Sequence, residues 1–184
     1  MSKLVEFTRS DLLKGVDAKN IQRAKKIPYT RYRETTADYV VHFDAKSVSS
    51  PGTYDVDIRL DEYKDIADEP DLTTREKVRL ALRGDVSIRC SCPAFKYWGY
   101  DYITTQLGSK LGDPENRYPH IRNPRLEGVL CKHAYATLKV LPLNWMKIAK
   151  DLSKYEQEPP TDTRDTASEE SDDNVPESEP TEII

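Results

Sequence analysis

The run Asp85-Val-Ser-Ile-Arg-Cys-Ser-Cys-Pro-Ala-Phe95 changes its periodicity halfway along. Up to Cys90 it alternates, with Val86, Ile88 and Cys90 on one face, the pattern of a half-buried strand. Pro93 suits the first turn of a helix, and 94–107 can continue one despite Gly99. A strand thus delivers Cys90 to a turn that also holds Cys92. After 38 further residues comes Cys131-Lys-His133, where a second helix opens and runs to about Leu141. Pro142 interrupts it, and Leu143–Tyr155 supplies another amphipathic stretch.

Upstream of this run, Thr73 caps a helix with Glu76 three residues on, and Gly84 ends it. Before an acidic loop, Thr53-Tyr-Asp-Val-Asp-Ile-Arg-Leu60 alternates strictly, with Tyr54, Val56, Ile58 and Leu60 on one side. Asp38–Phe43 is rich in β-branched and aromatic residues and pairs with it as a hairpin across a Ser-Ser-Pro-Gly turn at Ser49–Gly52. Leu12, Leu13, Val16, Ile21 and Ala24 approximate a 3.6-residue period, which predicts one helix over Asp11–Lys26, stopped by Pro28. The stretch from Gly108 to Gly128 has little periodicity and reads as an irregular loop. The fold class is therefore α+β, a small antiparallel sheet with helices. Three parts are expected: an N-terminal helical segment (1–35), an α+β domain (36–155, its core 85–141) and an acidic tail (156–184).

All three cysteines of the 184 residues fall in Cys-Ser-Cys (90–92) and Cys-Lys-His (131–133). Zinc takes four soft or borderline ligands in a tetrahedron, and two close pairs each supply one edge. Cys90, Cys92, Cys131 and His133 are thus the expected ligands of one structural Zn(2+), with no position open for a catalytic water. Three other readings compete. Buried core cysteines beside an unrelated histidine would be inert. A Cys-x-Cys disulfide is strained and out of place in a reducing compartment. A Cys-His nucleophile usually assembles from distant segments rather than from neighbours two apart.

This pattern resembles the SWIM zinc finger, a ββα module with Cys-x-Cys, a spacer and Cys-x-His. The Pro after the second Cys, in Cys-Pro-Ala-Phe (92–95), and the Lys before the His, in Cys-Lys-His-Ala (131–134), add to the likeness. It covers about residues 53–141 and implies the same four zinc ligands and a binding role toward DNA or protein. The spacer is longer than in most SWIM fingers. With its Tyr-Pro-His-Ile-Arg-Asn-Pro segment (118–124), the insertion resembles that of tailed-bacteriophage SWIM-like proteins.

The net charge of −4 conceals a division. Residues 155–184 hold eleven acidic residues and one Arg, whereas residues 1–154 hold 27 basic and 21 acidic. Residues 86–150 carry ten Lys and Arg against four Asp and Glu, so positive charge gathers around the cysteines. An acidic partner is expected there. The candidates are Arg89, Lys96, Tyr97, Tyr100, Lys110, Arg117, Arg122, Arg125 and Lys132. Among the aromatics at 95–102, the helical spacing of Phe95, Trp98 and Tyr102 points them at the sheet, leaving Tyr97 and Tyr100 exposed. The charged loop has an ordinary alternative as a solvated surface. His42 is read as structural, and His120 as bonded within its loop.

The tail is too acidic and too poor in apolar residues to order itself. It is either a solvating linker or a segment that folds over the basic patch. The sequence has no apolar run of 18 residues and no secretory signal at its start, which places it inside the cell, or in the host cytoplasm or virion for a phage protein. No carboxylate pair or phosphate loop favours an enzyme. The expected function is non-catalytic binding of nucleic acid, with protein–protein interaction or a virion-associated structural role as the alternative.

Overall fold

The computed structural model describes residues 8–48 and 51–156. The tail from residue 157 onward and the first half of the Ser49–Gly52 turn lie outside the described residues. The chain opens with α1 (Arg9–Lys14) and α2 (Ala18–Ala24). Strands β1 (Thr30–Thr35), β2 (Val40–Lys46) and β3 (Thr53–Leu60) follow. Next come α3 (Tyr63–Ile66), α4 (Thr74–Ala81), β4 (Val86–Cys90), α5 (Pro93–Tyr97) and α6 (Tyr100–Gln106). The long insertion leads to α7 (Lys132–Val140), a 3₁₀ turn (Leu141–Asn144) and α8 (Trp145–Glu156). The four strands lie in sequence order, all antiparallel.

Register explains the chemistry of the two sheet faces. Val41 pairs with Ile58, Phe43 with Val56, and Ile58 in turn with Ile88, so the alternating apolar residues share one face. On that face Val41, Phe43, Val56, Ile58, Leu60 and Ile88 are fully buried, and α7 lies across them with Ala134 and Leu138 inward. The opposite face carries Arg31, His42, Asp44, Asp57, Ser87 and Arg89. Asp57 is nonetheless only 2% exposed. His42 Nδ1 at 2.6 Å and Arg89 Nε at 2.6 Å enclose its carboxylate, with Arg33 at 4.0 Å. A buried carboxylate with two charged partners and two hydrogen bonds meets the condition under which its desolvation is compensated.

Three expectations are corrected. The single helix over 11–26 is two helices, because Gly15 passes against Val129 and Asp17 caps a new helix through its bond from Asn20 N–H. Residues 30–35, expected within the helical segment, form edge strand β1. Its bulge between Tyr32 and Glu34 and its charged outer residues hide the alternation from the sequence. The helix over 94–107 breaks at Gly99, which adopts φ 77° and starts α6 in a new phase. Tyr100 is consequently buried, at 4% exposure, while Trp98 is 40% exposed, the reverse of the roles that unbroken periodicity gave them.

The remaining elements follow the sequence closely. α4 has its capping box, with Thr73 and Glu76 bonded reciprocally. β3 and β4 match the alternating runs, α7 starts directly after Cys131, and residues 111–128 contain no helix or strand. The acidic loop holds the short α3, whose Tyr63 is buried. α8 docks on α4 and β1, where Asp151 accepts bonds from Tyr32 Oη (2.5 Å) and Thr35 N (3.2 Å). No helix of the described residues is long and apolar enough to cross a membrane.

Truncating Ile148, fully buried on α8, to Ala leaves a cavity and is expected to cost about 2–5 kcal/mol in urea unfolding. Met146→Ala, at a position 64% exposed on the same helix, is the control and should shift stability by no more than about 0.5 kcal/mol.

Candidate metal centre and basic surface

The register of β3 and β4 fixes the first ligand. Cys90 is the last residue of β4, paired with Val56. Beyond it Ser91 is still tied to β3: Ser91 N–H donates to Asp55 O (2.9 Å), and Asp55 N–H donates to Ser91 Oγ (2.9 Å). Cys90 and Cys92 thus flank a residue anchored to β3, and two residues apart on extended backbone they place both sulfurs in one cluster. Cys92 is then the N-cap of α5, its Sγ accepting the Phe95 N–H at 3.4 Å. Pro93 occupies the first helical position, where its missing N–H costs nothing.

The second ligand pair repeats the device. Cys131 is the N-cap of α7, and its Sγ accepts the Ala134 N–H at 3.4 Å. His133, in the first turn, is 3% exposed and packs its ring on Tyr54 with centroids 4.8 Å apart. The segment ahead of Cys131 is held by Asn20, whose Nδ2 donates to Leu130 O (3.1 Å) and Tyr100 Oη (2.6 Å). Burial pushes the Tyr100 hydroxyl up to about 12, so it stays protonated in this junction.

Ligand atoms of Cys90, Cys92, Cys131 and His133 all lie within 4.8 Å of one another, and all four residues are buried. A tetrahedral zinc with Zn–S bonds of about 2.3 Å sets sulfurs about 3.8 Å apart, so the cluster is close to the size the ion requires. Both His133 ring nitrogens are buried without a hydrogen-bond partner; among the described residues only the Thr137 hydroxyl, one turn along α7, shares that condition. An orphaned buried imidazole is costly unless something bonds to it, and a metal does so directly. Burial pushes the Cys90 and Cys131 thiols well above their ordinary range, whereas hydrogen bonds from Cys131 and Cys90 draw Cys92 far below it. A divalent cation offsets the cost of three buried thiolates, and the two helix N-termini favour the remaining negative charge. The donor set fits one structural zinc ion.

Four buried soft ligands on a strand end and two helix starts define a structural zinc-binding module. A family model described as the SWIM zinc finger matches residues 54–141, from β3 through to the end of α7. Such fingers are typically non-catalytic and mediate nucleic-acid or protein interactions. No curated protein and no solved structure matches the chain.

The basic and aromatic candidates distribute unevenly. Lys96, Tyr97, Arg117 and Arg122 line one cleft of about 420 Å³, together with Tyr118 and His120. Tyr100, Arg122 and Arg125 line a second of about 320 Å³, joined there by Lys19, Arg23 and Trp98. Lys132 lies in a third hollow with Arg23 and Lys26. Tyr100 is the correction among them: it lines its cleft from a buried position and offers little surface. Arg117 is held by Glu115 through bonds of 2.9 and 2.6 Å, which also pull the Glu115 carboxyl down to about 2. The His120 ring rests on Tyr118, with centroids 4.8 Å apart.

Two candidates stand apart. Arg89 belongs to the polar sheet face, bonded to Asp57. Lys110 extends the sheet beside Ile88, with its ammonium 5.8 Å from the Phe95 ring centroid. Sequence reasoning missed Lys19, Arg23 and Lys26. Their i, i+4, i+7 spacing was a readable signal: Lys19 and Arg23 share one side of α2, and Lys26 follows in the turn after it.

Metal analysis of the purified protein should give one zinc per chain. Cys131→Ser should lose both the metal and the fold, since a structural zinc contributes on the order of 10–16 kcal/mol in small fingers. Full zinc occupancy in that variant would remove the assignment. Because protons compete for Cys90 and Cys131, zinc affinity should fall as pH is lowered and rise as it is raised, read by transfer to a chelator.

Proposed function

We propose that this chain is a non-catalytic zinc-stabilised module that binds nucleic acid, DNA in the first instance, through the basic surface beside the metal centre. One observation carries this reading: the three hollows share basic lining residues. Arg23 lines the hollow of Lys132 and also the cleft of Arg125, and Arg122 lines that cleft and also the one of Lys96. Positive charge therefore follows a track from α2 across the insertion to the end of α5, rather than lying scattered. Such a track matches a polyanion's backbone, which supplies affinity through neutralised phosphates and released counterions.

The four-ligand shell supports the non-catalytic part. With every coordination position supplied by protein, the metal has no site at which to activate water. Its role in this reading is to hold the insertion and α2 where their cations align. The insertion's likeness to tailed-phage proteins extends the proposal to a phage protein acting in the cytoplasm of its host.

A second reading rests on a separate feature. Ile21, Ala24, Ile27, Tyr29, Tyr135 and Val140 line an apolar hollow of about 510 Å³ between α2 and α7, and Tyr29 is 45% exposed. A partner protein seated there would make this an interaction or virion-associated module in which zinc only stabilises the fold.

The zinc-loaded protein should bind a DNA oligonucleotide with an affinity that falls steeply as salt rises. Arg23→Ala and Arg122→Ala should each weaken binding across sequences and lower the salt slope by about 1. Absence of binding in low salt defeats the nucleic-acid reading. Arg31→Ala on the polar sheet face, where Arg31 pairs with Asp44 at 2.7 Å, should leave binding unchanged.

A further inference from the structure

The basic track ends on aromatic rings that the fold leaves in water. Tyr97 is 61% exposed and Trp98 40%, both at the C-terminal end of α5. Trp98 is the C-cap of α5, and the break at Gly99 ends that helix directly after it, with α6 starting in a new phase. Each ring has a cation beside it, Lys96 Nζ at 5.7 Å from the Tyr97 centroid and Arg122 Cζ at 5.7 Å from that of Trp98. Tyr97 lines one cleft, Trp98 lines the other, and Arg122 lines both.

We infer that this corner is a stacking platform for single-stranded nucleic acid, with unpaired bases placed against Trp98 and Tyr97 and the phosphates following Arg122, Arg125 and Arg23. This rests on the nucleic-acid reading and narrows it to a substrate class. Phosphate contacts alone do not select a single strand, because a duplex presents the same phosphodiester groups at a higher charge density. The aromatics do. In a duplex the base faces are stacked on one another and offer nothing to an exposed indole, whereas an unpaired base has a free face. Exposed rings interleaved with cations are redundant on a duplex track and useful on a single-stranded one. The insertion shapes the site for this, since Pro119 seats on Gly99 and holds the neighbouring Tyr118 and His120 as the wall of the Tyr97 cleft.

The test uses the zinc-loaded full chain with three probes: oligothymidylate, oligouridylate and a mixed-sequence duplex of equal phosphate count. At matched salt, at least one single strand should bind about tenfold or more tighter than the duplex, the span that base–aromatic stacking provides. Trp98→Ala should weaken single-strand binding far more than duplex binding, abolishing that preference while zinc content stays intact, and Trp98→Phe should restore much of it. The chain has two tryptophans, so a Trp145→Phe background leaves Trp98 as the sole reporter. Its fluorescence should be quenched by the single strand and not by the duplex. Equal or tighter duplex binding, with Trp98→Ala silent on single strands, overturns the inference while the nucleic-acid reading stands. Failure of all three probes to bind overturns both.

Discussion

The last residue of β4 and the first turn of α7 meet at one point, and the arrangement of the molecule depends on that junction. Between Cys92 and Cys131 lie 38 residues, much of them without regular structure, and closing such a loop has an entropic cost. A single ion bound by both ends supplies a local cross-link with directional bonds. Once α7 is fixed at its N-terminus it lies across the inner sheet face, and α1 and α2 pack against it in turn. The cysteines also serve as helix caps, so the sulfurs that close the metal shell satisfy the first N–H groups of α5 and α7. Metal binding and helix initiation are the same event at these two positions.

The sheet separates two kinds of electrostatics. On its polar face arginines and carboxylates interlock, with Arg33 reaching both Asp44 and Asp55 and Asp57 held between His42 and Arg89. Those charges are spent internally and present little net field. On the α2 and insertion side the cations outnumber their carboxylate partners, and only Arg117 among the insertion's arginines has a bidentate ion pair. The same residue type thus does different work on the two sides. Arg89 is a structural element of the sheet, whereas Arg122 and Arg125 face open clefts.

Strand positions with strict alternation were legible in the sequence because one face is buried: β3 and β4 appear where Val56, Ile58, Leu60, Val86 and Ile88 put them. The ligand set was legible for a chemical reason, since three thiols and an imidazole in two tight pairs have few other uses. β1 was illegible because Tyr32 and Thr35 are its inward residues and a bulge shifts their phase. Gly99 resets the helical phase in a way no periodicity count anticipates, and this inverted Trp98 and Tyr100. The α2 cations escaped notice for another reason. They lie more than 60 residues from the cysteines in sequence, and only the packing of α2 on α7 brings them to the site.

Gly99 is constrained twice over. Its left-handed backbone disfavours any side chain, and a Cβ there would approach Pro119 Cγ to 2.4 Å. The insertion is thereby fastened to the scaffold at a chosen spot, and again where the Glu115 N–H donates to Thr105 Oγ1 at 2.9 Å and where Lys110 lies along β4. Near its end the insertion is fastened once more, where Asn20 Nδ2 donates to Leu130 O at 3.1 Å just ahead of Cys131. A long stretch with little regular structure is thereby given a fixed path over the scaffold by a few point contacts, so that its shape is set by where it is pinned rather than by helices or strands of its own.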